Sequence, residues 1–178
     1  EKVNEELSQQ MEKLKAKGLS PAIAMLTSAE LSRYQDVSKE LEGLAVRSIV
    51  TVGMANALRV GDPPPASLNA AGTINLLCAV SRPLSQPALV EALSIAVEAR
   101  TAAVLEAGIS STQTGLPATG TGTDCVVIAC PTVQNQGQPL GYVGKHTVMG
   151  SLIGAAVYEA VSSGLRLWKE THNFGGVF

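Results

Sequence analysis

The chain is poor in the residues that several functions depend on. Aromatic side chains make up 3% of its 178 residues, which leaves few flat faces for stacking on unpaired bases. Basic residues are not in excess: Lys and Arg number 13 against 15 Asp and Glu, a net charge of −2. No basic field is available to hold a phosphate backbone, so nucleic acid is set aside as a partner. There are two histidines, His146 and His172, and no HxxxH or CxxC spacing, so no resident metal is expected. The three cysteines are Cys78, Cys125 and Cys130. An odd count without paired spacing argues against a disulfide framework. Cys78 and Cys130 lie in apolar runs, where a free thiol behaves as a small hydrophobe. Reduced thiols point to the cytoplasm. No apolar run is expected to reach the roughly 18 residues of a membrane span, and no signal peptide is visible, although the chain begins at Glu1.

What is present is a globular balance: 46% hydrophobic and 16% charged residues, enough to build one domain over 1–178 with a sizeable core. The high apolar content with few aromatics suggests faces buried between subunits, hence a homo-oligomer. Val3, Leu7, Met11 and Leu14 recur at helical spacing before Gly18, so a helix is expected over about 1–18. "PAIAMLT" (21–27) reads as a short buried strand, and "SAELSR" as one or two helical turns capped by Ser28. "LAVRSIVTVG" (44–53) and "TINLLCAV" (73–80) read as strands. Between them runs a long loop with Gly61-Asp62 and three prolines, which excludes helix or central strand. Residues 85–108 form the clearest helix, with Ser85 as N-cap, Pro87 in the first turn and Gly108 beyond the end. A polar loop, the strand "DCVVIACP" and a loop with turns at Asn135 and Gly141 follow. The last helix spans 147–169, with Gly150 and Gly154 one turn apart on a close-packed face. Residues 170–178 read as a tail. Alternating strands and helices give the α/β class, with mixed sheet or sheets flanked by helices.

Three loops carry the polar groups: 53–72, 118–124 and 141–147. In "ATGTGTDCVVIACP", Gly120 and Gly122 let the backbone fold closely and the intervening threonines add hydroxyls. Such a turn can cradle an anion or a developing oxyanion. Asp124 beside it is either an orienting acid or general base, or a plain cap on local amides. Lys145, His146 and Thr147 stand at a helix N-terminus, where a cation is unfavourable unless an anionic or carbonyl ligand accompanies it. A neutral His146 suits proton transfer near pH 7; an ordinary surface Lys-His pair remains the alternative. Thr73 follows Gly72 at a strand start, as a nucleophile or simply as a β-favouring residue. Cys125 alternates to the face opposite Asp124.

Four stretches taken together resemble the adenosylcobinamide amidohydrolase family of corrinoid salvage: "IVTVGMANALRVGDPP" (49–64), "GTINLLCAVSRPLSQPALVEALSIAVEARTAAVLE" (72–106), "ATGTGTDCVVIA" (118–129) and "GYVGKHTVMGSLIGAAVYEAV" (141–161). The likeness covers roughly 20–165. It implies hydrolysis of the amide that joins the aminopropanol arm to adenosylcobinamide, giving adenosylcobyric acid for cobalamin synthesis. The cobalt then belongs to the corrinoid substrate, and no separate cofactor is implied. Long loops suit a broad, flat ring. A corrinoid-binding module without turnover is the alternative from another class. On this reading Asn56, Asp62, Thr119, Gly120, Thr121, Gly122, Thr123, Gly144 and Thr147 bind substrate. His146 carries protons, Asp124 orients it or activates water, Lys145 assists the oxyanion donors, and Thr73 or a water attacks. These groups are expected to converge in one cleft. The run from "GTINLLCAVSRPL" to "TGTGTDCVVIA" also resembles self-processing aminopeptidases of the N-terminal-nucleophile type. That likeness places Thr73 at the nucleophile and implies a layered α-β-β-α sandwich. The chain reads continuously through 72–73, so cleavage is not indicated.

Overall fold

The computed structural model describes residues 2–19, 22–66, 71–133 and 137–172. The turn expected at Asn135 and the tail beyond 172 lie outside them. Helix α1 (Lys2–Ala16) opens the chain, with Leu7, Met11 and Leu14 half-buried along one stripe. Strands β1 (Gln35–Leu41) and β2 (Leu44–Val52) form a hairpin. Its two-residue turn puts Glu42 at φ 53° and Gly43 at φ 73°, the pair of positive angles that matches the twist of the flanking strands. A two-residue strand β3 (Ala57–Leu58) interrupts the long loop, and β4 (Ile74–Val80) follows. Helix α2 (Gln86–Glu106) then leads through β5 (Gly120–Thr121) to β6 (Cys125–Ala129) and helix α3 (Val148–Thr171).

The main sheet has the order β1-β2-β4-β6, antiparallel except for the parallel pair β4–β6, while β3 and β5 form a separate antiparallel ribbon. The α/β class with a mixed sheet and flanking helices is therefore present. Val46, Val50, Leu76 and Cys78 point to one face, and α2 and α3 close over it. The other face is crossed near Asn75, whose Nδ2 donates to Leu26 O. A second large sheet, as in a four-layer sandwich, is not among the described residues.

Three local expectations need correction. Residues 22–27 pair with no strand, and Ile23 and Leu26 are exposed; their apolar character is not spent on burial here. "SAELSR" gives only a three-residue 3₁₀ turn, Leu31–Arg33, preceded by Glu30 and not capped by Ser28. An apolar segment long enough to cross a membrane does exist, because α3 passes by length and composition. Eleven of its residues, among them Ile153, Val157 and Val161, are buried within this fold. Strand β1 escaped sequence reading altogether. "QDVSKEL" holds only two strongly apolar residues, since an edge strand tolerates and uses charge.

Helix α2 begins as expected: Ser85 Oγ accepts from Ala88 N, and Gly108 follows the end at φ 67°. Helix α3 starts on Thr147, whose Oγ1 accepts from Gly150 N and donates to Gly144 O. Gly150 sits so close to the preceding turn that a Cβ would lie 2.1 Å from Val143 O. Gly154 is different, because a Cβ there would make ordinary contact with Ile95 at 3.7 Å. Burial of Cys78 pushes its thiol pKa up to about 12.

Two substitutions one turn apart should therefore act in opposite directions. Gly154→Ala gains helix propensity of up to about 1 kcal/mol, whereas Gly150→Ala forces a methyl into backbone and lowers stability by about 1–3 kcal/mol. Urea midpoints of the two variants measure this. Equal midpoints would contradict the packing described.

Candidate active site

The long loop and the glycine-threonine loop are laced together. Thr112 N donates to Ala57 O, and Thr119 N to Leu58 O. Asp62 supports the rim: its carboxylate accepts from Arg59 N, Ser111 Oγ and Thr114 Oγ1. The Ser111 hydroxyl above all, then the Arg59 amide, holds the Asp62 carboxyl below the usual carboxylate range. Val60 N donates to Thr119 Oγ1, and Arg59 reaches Pro117 O. The result is a basin of about 400 Å³. Arg59, Arg100, Thr119, Thr121, Gly122 and Asp124 are among the residues that line it.

Asp124 ties this basin to the sheet. Its Oδ1 accepts from Ile74 N at 3.0 Å and from Thr121 Oγ1 at 2.5 Å. Its Oδ2 accepts from Thr121 N at 3.0 Å and lies 3.3 Å from Arg100 Nη1. Both partners of that ion pair are nearly enclosed, with side-chain exposures of 13% and 9%. Gly120 has no room for a side chain, since a Cβ would fall 2.2 Å from Asp124 Oδ2. The carboxylate thus takes the Thr121 amide that a bound anion would otherwise use, which is the local-cap arrangement of this turn.

Next to Asp124, Thr123 Oγ1 donates to Gly72 O at 2.9 Å. It also lies 2.7 Å from Thr73 Oγ1. A hydroxyl has one proton to give, so Thr73 is the donor to Thr123. Gly53 N holds Thr73 from the other side, by donating to Thr73 O at 3.0 Å. Asn56 is buried behind this point, its Oδ1 without a partner.

The structure thus gathers Thr73, Thr119, Gly120, Thr121, Gly122, Thr123 and Asp124, with Asp62 on the rim and Asn56 behind. It does not bring Lys145 and His146 to them. Lys145 Nζ pairs with Glu98 at 2.6 Å, and exposed His146 stacks on Tyr142 with ring centroids 6.3 Å apart. Glu98 and Arg100 are two positions apart on α2, roughly 200° around its axis, so the two groups flank opposite sides of that helix. Gly144 and Thr147 belong to the Lys145 side, where they build the α3 cap. Among the described residues no hydrogen bond or ion pair joins the two groups, and no cluster of three or more potential metal ligands occurs. Arg59 and Arg100 are the residues that sequence reading missed. For Arg100 a signal was available: it is the sole basic residue within the apolar helix 86–106.

A family model described as adenosylcobinamide amidohydrolase matches residues 1–173. Among curated proteins, an uncharacterized protein of Methanocaldococcus jannaschii is 31% identical over 80% of this chain and 62% of its own length. An adenosylcobinamide amidohydrolase of Methanosarcina mazei is 28% identical over 84% and 68%, respectively. One from Halobacterium salinarum is 33% identical over 65% and 48%. The chain thus spans about half to two thirds of the length of these relatives. No solved structure matches.

Replacing Asp124 by Asn should be costly, because it leaves Arg100 without its anion and turns an amide donor toward other donors. We expect a loss of about 3–5 kcal/mol, read from denaturant midpoints, and wild-type stability would contradict the clamp. Asp62 makes a separate, pH-dependent contribution. Its folded carboxyl is depressed, so the contribution is complete above the unfolded value, about pH 4, and is lost as pH falls through the folded value. Asp62→Asn should flatten the acid limb of the stability curve; an unchanged limb would exclude that role.

Proposed function

As the chain belongs to the adenosylcobinamide amidohydrolase family, we propose that it hydrolyses the amide between the aminopropanol arm and the corrinoid of adenosylcobinamide. The products are adenosylcobyric acid, which re-enters cobalamin synthesis, and aminopropanol. The observation that carries the chemistry is the hydroxyl pair Thr73–Thr123 beside the Asp124–Arg100 clamp. Amide hydrolysis needs an attacking oxygen, a proton carrier and a stabiliser for the oxyanion. Thr73 Oγ1 attacks the substrate carbonyl carbon, the amide C–N bond breaks, and the hydroxyl proton is relayed through Thr123 to the departing aminopropanol nitrogen. Arg100 and Arg59, which line the basin next to this hydroxyl pair, supply positive charge for the oxyanion. Asp124 positions the loop and does not itself transfer protons, because its oxygens are already engaged by three hydrogen bonds and the Arg100 ion pair. The acyl group then passes to water. The reaction requires no cofactor, and cobalt enters only as part of the substrate.

Incubation with adenosylcobinamide, followed by chromatography, should yield adenosylcobyric acid and aminopropanol. Thr73→Ala should lower kcat by about 10³-fold or more, whereas His146→Ala should stay within about tenfold of wild type. Tight binding with unchanged ligand would favour a corrinoid-binding module without turnover. Loss of turnover in His146→Ala with full activity in Thr73→Ala would move the site to the other side of α2.

A further inference from the structure

We propose that Val60 and Leu116 form a fixed apolar platform at the mouth of the basin, and that this platform selects the substrate by carrying the flat face of its macrocycle, an assignment that rests on the amide-hydrolysis reading above. Both side chains project into solvent: Val60 is 82% exposed and Leu116 54%. Single exposed apolar residues are ordinary on a protein surface. These two differ because they stand on one anchored rim.

Val60 sits at the tip of a turn that Asp62 N closes by donating to Arg59 O at 3.0 Å. Gly61, at φ 91°, fills the position of that turn where a positive angle is needed. Leu116 ends a loop that Ser111 N closes by donating to Leu116 O at 2.8 Å. The Asp62 carboxylate ties the two together, taking Arg59 N from the turn and Ser111 Oγ and Thr114 Oγ1 from the loop. Arg59 Nη1 donates to Pro117 O and Val60 N to Thr119 Oγ1, both at 2.8 Å. All of these bonds are made by other groups, so the Val60 and Leu116 side chains are free of structural duty. They are held out to water on a backbone already fixed, and a ligand that covers them has little left to order.

The basin below this rim offers donors. Asp124, the one carboxylate among its lining residues, is filled by three hydrogen bonds and the Arg100 ion pair. A guanidinium carries five N–H groups, and Arg59 spends one on Pro117 O. Thr119 Oγ1 accepts from Val60 N, which leaves its own proton for a ligand. The rim therefore asks for an apolar surface and the basin for carbonyl oxygens. A corrin answers both, being a flat ring set with methyl groups and fringed by amide arms. Laid on Val60 and Leu116, it turns edge carbonyls toward Arg59 and Thr119, and the scissile arm runs past Asp124 toward Thr73.

Equilibrium dialysis against adenosylcobinamide, read by the colour of the corrin and combined with initial-rate measurements, tests the platform. Val60→Ser and Leu116→Ser should each raise Kd and KM by about tenfold, with unchanged denaturant midpoints because both side chains are exposed. Val60→Ile and Leu116→Met, which keep the apolar surface, should stay within about twofold of wild type. Val90→Ser removes a residue that is 68% exposed near the start of α2, and it should leave Kd unchanged. N-acetyl aminopropanol, which has the amide but no ring, should fail to displace the corrinoid at about a thousandfold excess. Displacement by that small amide, or serine variants that bind and turn over with wild-type Kd and KM, would overturn the platform while turnover itself keeps the amidohydrolase reading. Binding that weakens in the serine variants, with the ligand never hydrolysed, retains the platform and removes the amidohydrolase reading. A wild-type chain that does not bind adenosylcobinamide overturns both.

Discussion

One carboxylate organises the site. Asp124 accepts from the first amide of β4, from the amide and hydroxyl of Thr121, and pairs with Arg100 of α2. It therefore joins a strand start, a glycine-rich loop and a helix through a single group. Enclosed charges of this kind persist only when their donors are all in place. Here the donors come from three separate stretches of chain, so the loop 118–124 has a unique position relative to β4. Thr123 lies next to Asp124 and is carried by it onto the Gly72 carbonyl and the Thr73 hydroxyl.

The remainder of the fold supports that junction. The β4-α2-β6 unit places β6 parallel to β4, with Asn75 opposite Cys125. This register brings the residue before each strand, Thr73 or Asp124, to the same end of the sheet. The β3–β5 ribbon and the Asp62 network fasten the long loop over that end. Gly72 and Gly120 are both required because backbone or carboxylate atoms occupy the space of a side chain. What results is a basin lined by two arginines, with Asp124 between it and two coupled hydroxyls. That set can polarise a carbonyl and attack it.

Much of this was legible in the sequence where local rules and tertiary needs agreed. Ser85, Pro87 and Gly108 mark α2 by caps alone, and the apolar run 73–80 marks β4. The glycine-threonine run and Asp124 stood out in the sequence because that density of glycine exceeds the needs of a simple turn. Strand β1 was not legible, because its register comes from pairing with β2 and its own side chains are mostly polar. Residues 22–27 misled in the opposite sense, being apolar yet unpaired. The grouping of Lys145 and His146 with Asp124 failed for a geometric reason. Both loops adjoin α2, but on different flanks, and a two-residue offset on a helix is invisible to motif reading.

Acid-quenched turnover followed by peptide mass mapping tests the central claim most directly, that Thr73 is the reacting centre held by the Asp124 clamp. The account predicts a corrinoid acyl ester on Thr73 and nowhere else, with aminopropanol already released. Turnover with the acyl group on another residue, or with no covalent adduct at any quench time, would contradict it.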